Sequence, residues 1–394
     1  MNDAPETRPV VLVCMGAFWP GSDSSGPNVS LIGLCRALGD EFEFRILARD
    51  RAFGAASAPL PTGIWHDKGF AKVRYCEMGR FGAGELGAIM RETPHDLLWL
   101  NGFFDREFTL PALILRRLGR IPHKPTLLSP RGEFAAGAMG LKSAQKRLWL
   151  ALTKFGGLLK DVKLHATGPH EHADIASGCS WSNGIVDAPN VRAMIDAPPH
   201  EITQDAPKLV FLGRISRVKN LDYALNVLKA VKTPLSFDIY GPISDPGYWA
   251  ECEQIIKTLP VHIKVELQGE IANEAVPDMM GGADLLFLPT KGENFGHAIF
   301  EALACNVPVL ISDQTPWRNL AQDNAGWDLA LASKPGFVAA LENFAAMSAK
   351  QRQALQNGAK RRAESWVKAS DSVTANQTLL HHLLQNAAKP ARGH

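Results

Sequence analysis

The chain has 394 residues, more than one ordinary hydrophobic core accommodates, so two domains are expected. A hydrophobic content of 46% with 21% charged residues excludes a disordered or fibrous chain. Forty-two basic against 40 acidic side chains leave a net charge of +2, so overall charge offers no footprint for nucleic acid, and any basic patch must be local.

Residues Asp3, Glu6 and Arg8 precede the apolar strand expected over Val10 to Cys14, with no basic segment leading into a long hydrophobic core, so no signal peptide is expected. The loop Gly16 to Pro27 follows. It lacks the G-x-G-x-x-G spacing of a dinucleotide site and reads as a flexible loop before a helix over Asn28 to Leu38. Strands are expected at Phe42 to Ala48, Val73 to Cys76, Asp96 to Leu100, Thr126 to Leu128, Lys163 to Ala166 and Gly184 to Asp187. Their alternation with helical patterns predicts a parallel α/β sheet. Asn101 and Gly102, ahead of Phe103 and Phe104, are placed to line an acceptor pocket, with plain packing of the two rings as the alternative. Ser129-Pro130-Arg131-Gly132-Glu133 follows another strand and brings a permanent cation, Arg131, to its end.

Lys142, Lys146, Arg147, Lys154 and Lys160 interleave with Leu148, Trp149, Leu150, Leu152, Phe155, Leu158 and Leu159, the pattern of a basic amphipathic helix. Its apolar side either rests on anionic lipid or packs on the first domain, and Gly156-Gly157 weakens the helix. Thr167-Gly168-Pro169-His170-Glu171 opens a further helix, where Thr167 is a cap or His170 contacts an acceptor.

The segment 194–207, with Pro198, Pro199 and Pro207, reads as a linker between a domain of residues 1–193 and one of 208–371. Strands are then expected at Lys208 to Leu212, Ser236 to Tyr240, Ile263 to Leu267, Asp284 to Leu288 and Val307 to Ile311. Helices follow over Lys334 to Asn343, Ala349 to Ser365 and Val373 to Asn386. Cys14, Cys35, Cys76, Cys179, Cys252 and Cys305 form no C-x-x-C pair and read as buried thiols of a reducing cytosol. Histidines show no metal-site spacing, and no apolar run approaches the roughly 20 residues of a membrane span. A cytoplasmic protein is expected, with the inner face of a membrane as a second location if the basic helix meets lipid.

Two constellations carry chemistry. In Lys291-Gly292-Glu293-Asn294-Phe295-Gly296-His297-Ala298-Ile299-Phe300-Glu301, two carboxylates flank a turn that opens a helix, whose free N–H groups attract phosphate. Glu293 is placed to accept from sugar hydroxyls and Glu301 from a ribose. In Leu212-Gly213-Arg214-Ile215-Ser216-Arg217-Val218-Lys219-Asn220, cations follow the first strand of the second domain. Arg217 and Asn220 are expected to be surface or capping residues.

The first segment, with Pro308-Val309-Leu310-Ile311 after it, resembles the donor-site signature of the retaining GT-B glycosyltransferases of family GT4. The resemblance implies two Rossmann-like domains facing a central cleft, with residues 372–394 crossing back to the first. It implies that Arg214 and Lys219 hold the donor diphosphate and that the Gly296 and His297 amides join them as charge develops. Asn294 and Phe295 complete the donor turn. Gly26 stands in the loop that closes over the donor phosphate, although Ser25-Gly26-Pro27 replaces the usual Gly-Gly. Many relatives have histidine where this chain has Arg131, assigned here to donor or acceptor binding, and Gly241 belongs to a loop around the base. The expected reaction transfers a sugar from a nucleotide diphosphate sugar to a carbohydrate or lipid-linked acceptor with retention, without a metal or other cofactor, in exopolysaccharide or lipopolysaccharide assembly. A GT-B epimerase or hydrolase, or a non-catalytic nucleotide-sugar binding protein, is the alternative.

Overall fold

The computed structural model describes residues 8–22, 26–52, 61–135, 139, 143–198 and 206–388. Two compact units divide the chain: one holds the residues up to Arg192 together with those from Asp371 onward, the other Ala193–Ser370.

The first unit is built on strands β1 (Val10–Met15), β2 (Glu43–Arg49), β3 (Trp65–Asp67), β4 (Lys72–Cys76), β5 (Leu97–Asn101), β6 (Thr126–Ser129), β7 (Val162–Ala166) and β8 (Ile185–Asp187), in the spatial order β3-β4-β2-β1-β5-β6-β7-β8. All pairings are parallel except β3 with β4. The central strands are apolar on both faces because helices cover both. Leu31 and Leu34 of α1 (Gly26–Leu38) and Leu379, Leu380 and Leu383 of α12 (Ser372–Ala388) fill one face. The other is covered by α2 (Ala83–Glu92), α3 (Thr109–Arg117), α4 (Ser143–Phe155) and α5 (Pro169–Gly178), which bury Leu86, Leu113, Trp149 and Ile175. The C-terminal helix α12 thus crosses back. Asn376 Nδ2 fixes it, donating to the carbonyls of Pro189 at 2.8 Å and Ser372 at 2.7 Å.

Three sequence expectations change here. Helix α1 begins at Gly26, and buried Asn28 ties down the described part of the preceding loop by donating to Ala17 O, Ser22 O and Ser22 Oγ. The basic helix does not run to Lys160: Gly157, at φ +59, ends it after Phe155, and Leu158 and Leu159 turn into the core. Lys142 lies outside the described residues. Strand β3, antiparallel and three residues long, was not foreseen; a turn through Gly69 at φ +77 folds it onto β4.

The second unit holds β9 (Lys208–Leu212), β10 (Leu235–Tyr240), β11 (Ile263–Gly269), β12 (Leu285–Leu288), β13 (Val309–Ser312) and β14 (Gly326–Leu329). Their order is β11-β10-β9-β12-β13-β14, all parallel, with helices α6 (Leu221–Leu228), α7 (Pro246–Ile256), α8 (Val276–Gly281), α9 (His297–Ala304), α10 (Lys334–Ala345) and α11 (Ala349–Ser370). This is the doubly wound Rossmann order, and it reverses between β9 and β12, where such sheets bind ligands beyond the strand ends. Helix α11 outlasts the expected Ser365 because Trp366 packs against Phe295, Phe300 and Trp317. Of the expected linker, 199–205 lie outside the described residues, and Met194, Ile195 and Ala197 pack on the second core.

Gly358 lets α11 approach the turn at Asn324 so closely that an added Cβ would overlap the Asn324 carbonyl. Gly358→Ala should therefore cost about 1–3 kcal/mol despite alanine's better helix propensity. A lowered urea midpoint with an unchanged slope is the expected result.

Candidate functional site

The loop leaving β9 and the loop leaving β12 are sewn together at the reversal point. Val218 O accepts from Lys291 N at 2.8 Å and Thr290 Oγ1 at 3.1 Å, and Asn220 Nδ2 donates to Pro289 O at 2.9 Å. From β13, Ser312 Oγ donates to Thr290 O, while Gln314 O accepts from Glu293 N at 3.1 Å. The expected capping role of Asn220 thus takes a different form: at φ +61 it precedes α6, but its side chain braces the neighbouring loop.

On this frame Lys219 Nζ meets Glu293 Oε1 at 2.6 Å, with the side chains 19% and 10% exposed. Without a ligand, Glu293, expected to accept from sugar hydroxyls, is ion-paired to Lys219. Arg214 is exposed, and its guanidinium has no partner among the described residues, its carbonyl alone accepting from Ser216 Oγ at 3.4 Å. Arg217 points elsewhere, forked onto Glu251 and stacked over Tyr248, as a surface residue should. Gly296, at φ +81, turns the chain into α9, and a Cβ there would press on Ile299 and Trp317. Asn294 and His297 are half-buried on either side of that turn. Phe295, expected in the donor turn, packs its ring against Trp317 and Trp366, and its carbonyl accepts from Trp317 Nε1 at 2.6 Å. Glu301, one turn into α9, is 6% exposed. Gly241, at φ +136, lies so close to Gly213 that a Cβ would overlap the Gly213 carbonyl, so the loops after β9 and β10 touch backbone to backbone.

Residues 195–373 match the model of the family described as glycosyl transferases group 1. The second unit belongs to that family. The chain is 27% identical over 189 residues to a D-inositol 3-phosphate glycosyltransferase of Geodermatophilus obscurus, a match covering 45% of this chain and 41% of that one. The match therefore spans less than half of the curated relative. In three dimensions the chain is similar to sucrose-phosphate synthase from Thermosynechococcus elongatus, with a TM-score of 0.73, 16% identity, and 97% and 100% of the two chains covered. HepE of Anabaena in complex with UDP and glucose gives a TM-score of 0.68 at 14% identity, covering 95% and 99%. These likenesses show the GT-B fold.

In the first unit, the buried side chains of Asn101 and Ser129 stand at the ends of β5 and β6. Arg131, at φ +57, donates from Nε to Asn101 Oδ1 at 3.0 Å and from Nη1 to Asn190 Oδ1 at 3.1 Å, and lies over the Trp99 ring. Burial pushes its guanidinium down to about 10. Its forks are thus engaged inside the first unit, as is the Asn101 carbonyl. Below it, Trp99 Nε1 donates to Ser129 Oγ, which donates to His165 Nδ1, while His165 Nε2 donates to Ala188 O; these directions follow from the one acceptor at the chain's end. Burial and the Arg131 charge hold His165 neutral, at about 4.

His170, expected at an acceptor, is exposed at the start of α5, and the buried work falls to Glu171. Its carboxylate accepts from Gly132 N, Thr167 N and Thr167 Oγ1. Thr167 is a donor to this carboxylate rather than the helix cap. Gly102, at φ +88, faces Asp105 and Glu133. Neither carboxyl received a role from the sequence, though Asp105 before a helix is a capping signal, and it accepts from Glu107 N and Phe108 N. Glu133 Oε2 accepts from Phe104 N at 3.0 Å, and burial pushes its carboxyl up to about 7. Among the described residues, no group of three His, Cys, Asp or Glu is placed to hold a metal.

A carboxyl raised above its unfolded value favours the folded state when protonated, and that advantage is lost as pH rises from the unfolded value through about 7. Glu133→Gln should therefore gain melting temperature relative to the parent as pH moves from about 5 to about 8. Parallel curves across that range would contradict the buried-carboxyl account.

Proposed function

We propose that the protein is a retaining glycosyltransferase that moves a sugar from a nucleoside diphosphate sugar to a carbohydrate or lipid-linked acceptor. The observation carrying this reading is the gathering of Arg214, Lys219, Glu293, the Gly296 turn and Glu301 at the strand reversal of a group 1 domain. Its relative's name, a D-inositol 3-phosphate glycosyltransferase, and the UDP and glucose held by HepE support it.

In this reading Glu301 accepts from the ribose, and Gly241 and its loop approach the base. Arg214, Lys219 and the N–H groups opening α9 stabilise the departing diphosphate, so no metal is required for charge neutralisation. The bond from the anomeric carbon to the phosphate oxygen breaks as the acceptor oxygen bonds to the same face. The acceptor proton passes to the leaving phosphate. Asn101, Gly102 and His170 remain candidates for acceptor contact, and Arg131 acts by holding Asn101. Exopolysaccharide or lipopolysaccharide assembly is the setting that the family resemblance favours.

A fluorimetric thermal-shift panel of UDP, GDP and ADP with their glucose conjugates tests the reading. At least one nucleotide should raise the melting temperature. Arg214→Ala and Glu301→Ala should each lose about 1.5–3 kcal/mol of donor affinity while folding normally, because each removes a charged hydrogen bond. Unshifted melting with the whole panel would refute the assignment.

Peripheral membrane attachment is proposed for α4. Leu148, Leu152 and Phe155, spaced to share one helix face, are 63%, 48% and 84% exposed, while Trp149 on another face is buried. Lys146 and Lys154 lie over aromatic rings nearby, and an anionic bilayer suits both sets of groups, its acyl boundary taking the apolar side chains and its headgroups the lysines. Among the described residues no helix is long and apolar enough to cross a membrane. In flotation assays the protein should bind anionic vesicles at low salt and release at high salt. Leu148→Ser with Phe155→Ser should abolish binding without loss of fold, and flotation unaffected by both changes would remove α4 from the account.

A further inference from the structure

Glu293 and Lys219 have been given separate duties toward the donor, yet without ligand they satisfy each other at 2.6 Å in a site where neither is well solvated. Their backbones are fixed by the contacts of Val218 O and Asn220 on one side and of Glu293 N on the other, so the pair opens only by side-chain rotation. The Lys219 stem lies along the loop itself: a Cβ on Gly213 would touch its Cε at 3.4 Å. Arg214, one residue after Gly213, is exposed and uncommitted among the described residues. An arriving diphosphate therefore meets Arg214 as the available cation and Lys219 as an occupied one.

Drawing Lys219 onto phosphate strands the Glu293 carboxylate, and a half-buried charge deprived of its partner is costly. A nucleoside diphosphate alone brings nothing to compensate it. A sugar attached to that diphosphate brings hydroxyl donors, which replace the lost ammonium hydrogens. We propose that the Lys219–Glu293 ion pair is a donor-selective latch, opened by a ligand carrying both diphosphate and hydroxyl-bearing sugar and closed toward the nucleoside diphosphate alone. Transfer of the sugar would restore the pair and return Lys219 from the product. The latch rests on the nucleotide-sugar reading above and adds a dependence between two residues that the reading treats singly.

Isothermal titration separates the two claims. With the base selected from UDP, GDP and ADP, the free diphosphate and its glucose conjugate are titrated into the full chain and into Glu293→Gln, Glu293→Asp and Lys219→Met. The latch requires opposite signs: Glu293→Gln should bind the diphosphate several-fold tighter, because Lys219 is released, and the conjugate about tenfold or more weaker, because a charged acceptor is lost. Glu293→Asp, which keeps the charge but withdraws it by one methylene, should show the same reversal and serves if the glutamine variant folds poorly. Lys219→Met should weaken the conjugate and leave the diphosphate nearly unchanged. Changes of the same sign for both ligands, or equal losses in Lys219→Met, would overturn the latch while leaving a nucleotide-sugar site in place. Failure of the parent protein to bind any of the six ligands would overturn the underlying reading as well.

Discussion

The main-chain seam between the β9 and β12 loops is the constraint on which the second unit's chemistry depends. Neighbouring parallel strands whose connections leave in opposite directions open a gap at their ends, and unpaired backbone groups in such a gap are costly. Val218 O, Thr290, Asn220 and Ser312 satisfy those groups locally. The satisfaction has a second effect: it positions Lys219 and Glu293 on rigid backbone, so their reach is set by rotamers rather than by loop motion. The aromatic packing of Phe295, Phe300, Trp317 and Trp366 supports the same turn from the core side.

The first unit solves a comparable problem with a cation. Arg131 takes a left-handed backbone conformation, rare for a non-glycine residue, and its guanidinium joins Asn101 at the end of β5 to Asn190 beyond β8. The neutral His165 beneath it avoids adding a second positive charge to a poorly solvated region. A histidine at position 131 would lack the length and the fork to make both contacts.

Much of this was legible in the sequence. The runs expected as strands at Lys208 to Leu212 and Val10 to Cys14 announce central parallel strands because both faces are buried, and the second extends one residue further, to Met15. The spacing of Glu293 and Glu301 around a small-residue turn announces the turn at Gly296 and the helix that carries Glu301. Periodicity could not reveal that Glu293 has a partner, because Lys219 is distant in sequence and only the strand order brings it near. The same limit hid the packing of Phe295 and the internal engagement of Arg131. Strands β3 and β14 escaped because their three and four residues carry no alternation to read.

The return of α12 makes the second unit, in chain terms, an insertion within the first. The α1 side of the first sheet is complete only when Leu379, Leu380 and Leu383 arrive and Asn376 reaches the Pro189 carbonyl. During synthesis the first unit must therefore wait with that apolar face open until the whole of Ala193–Ser370 has emerged. A ribosome-bound chain passes through a stage in which the group 1 domain is able to close its own core while the earlier-made unit is not, and chaperone dependence should concentrate in that interval.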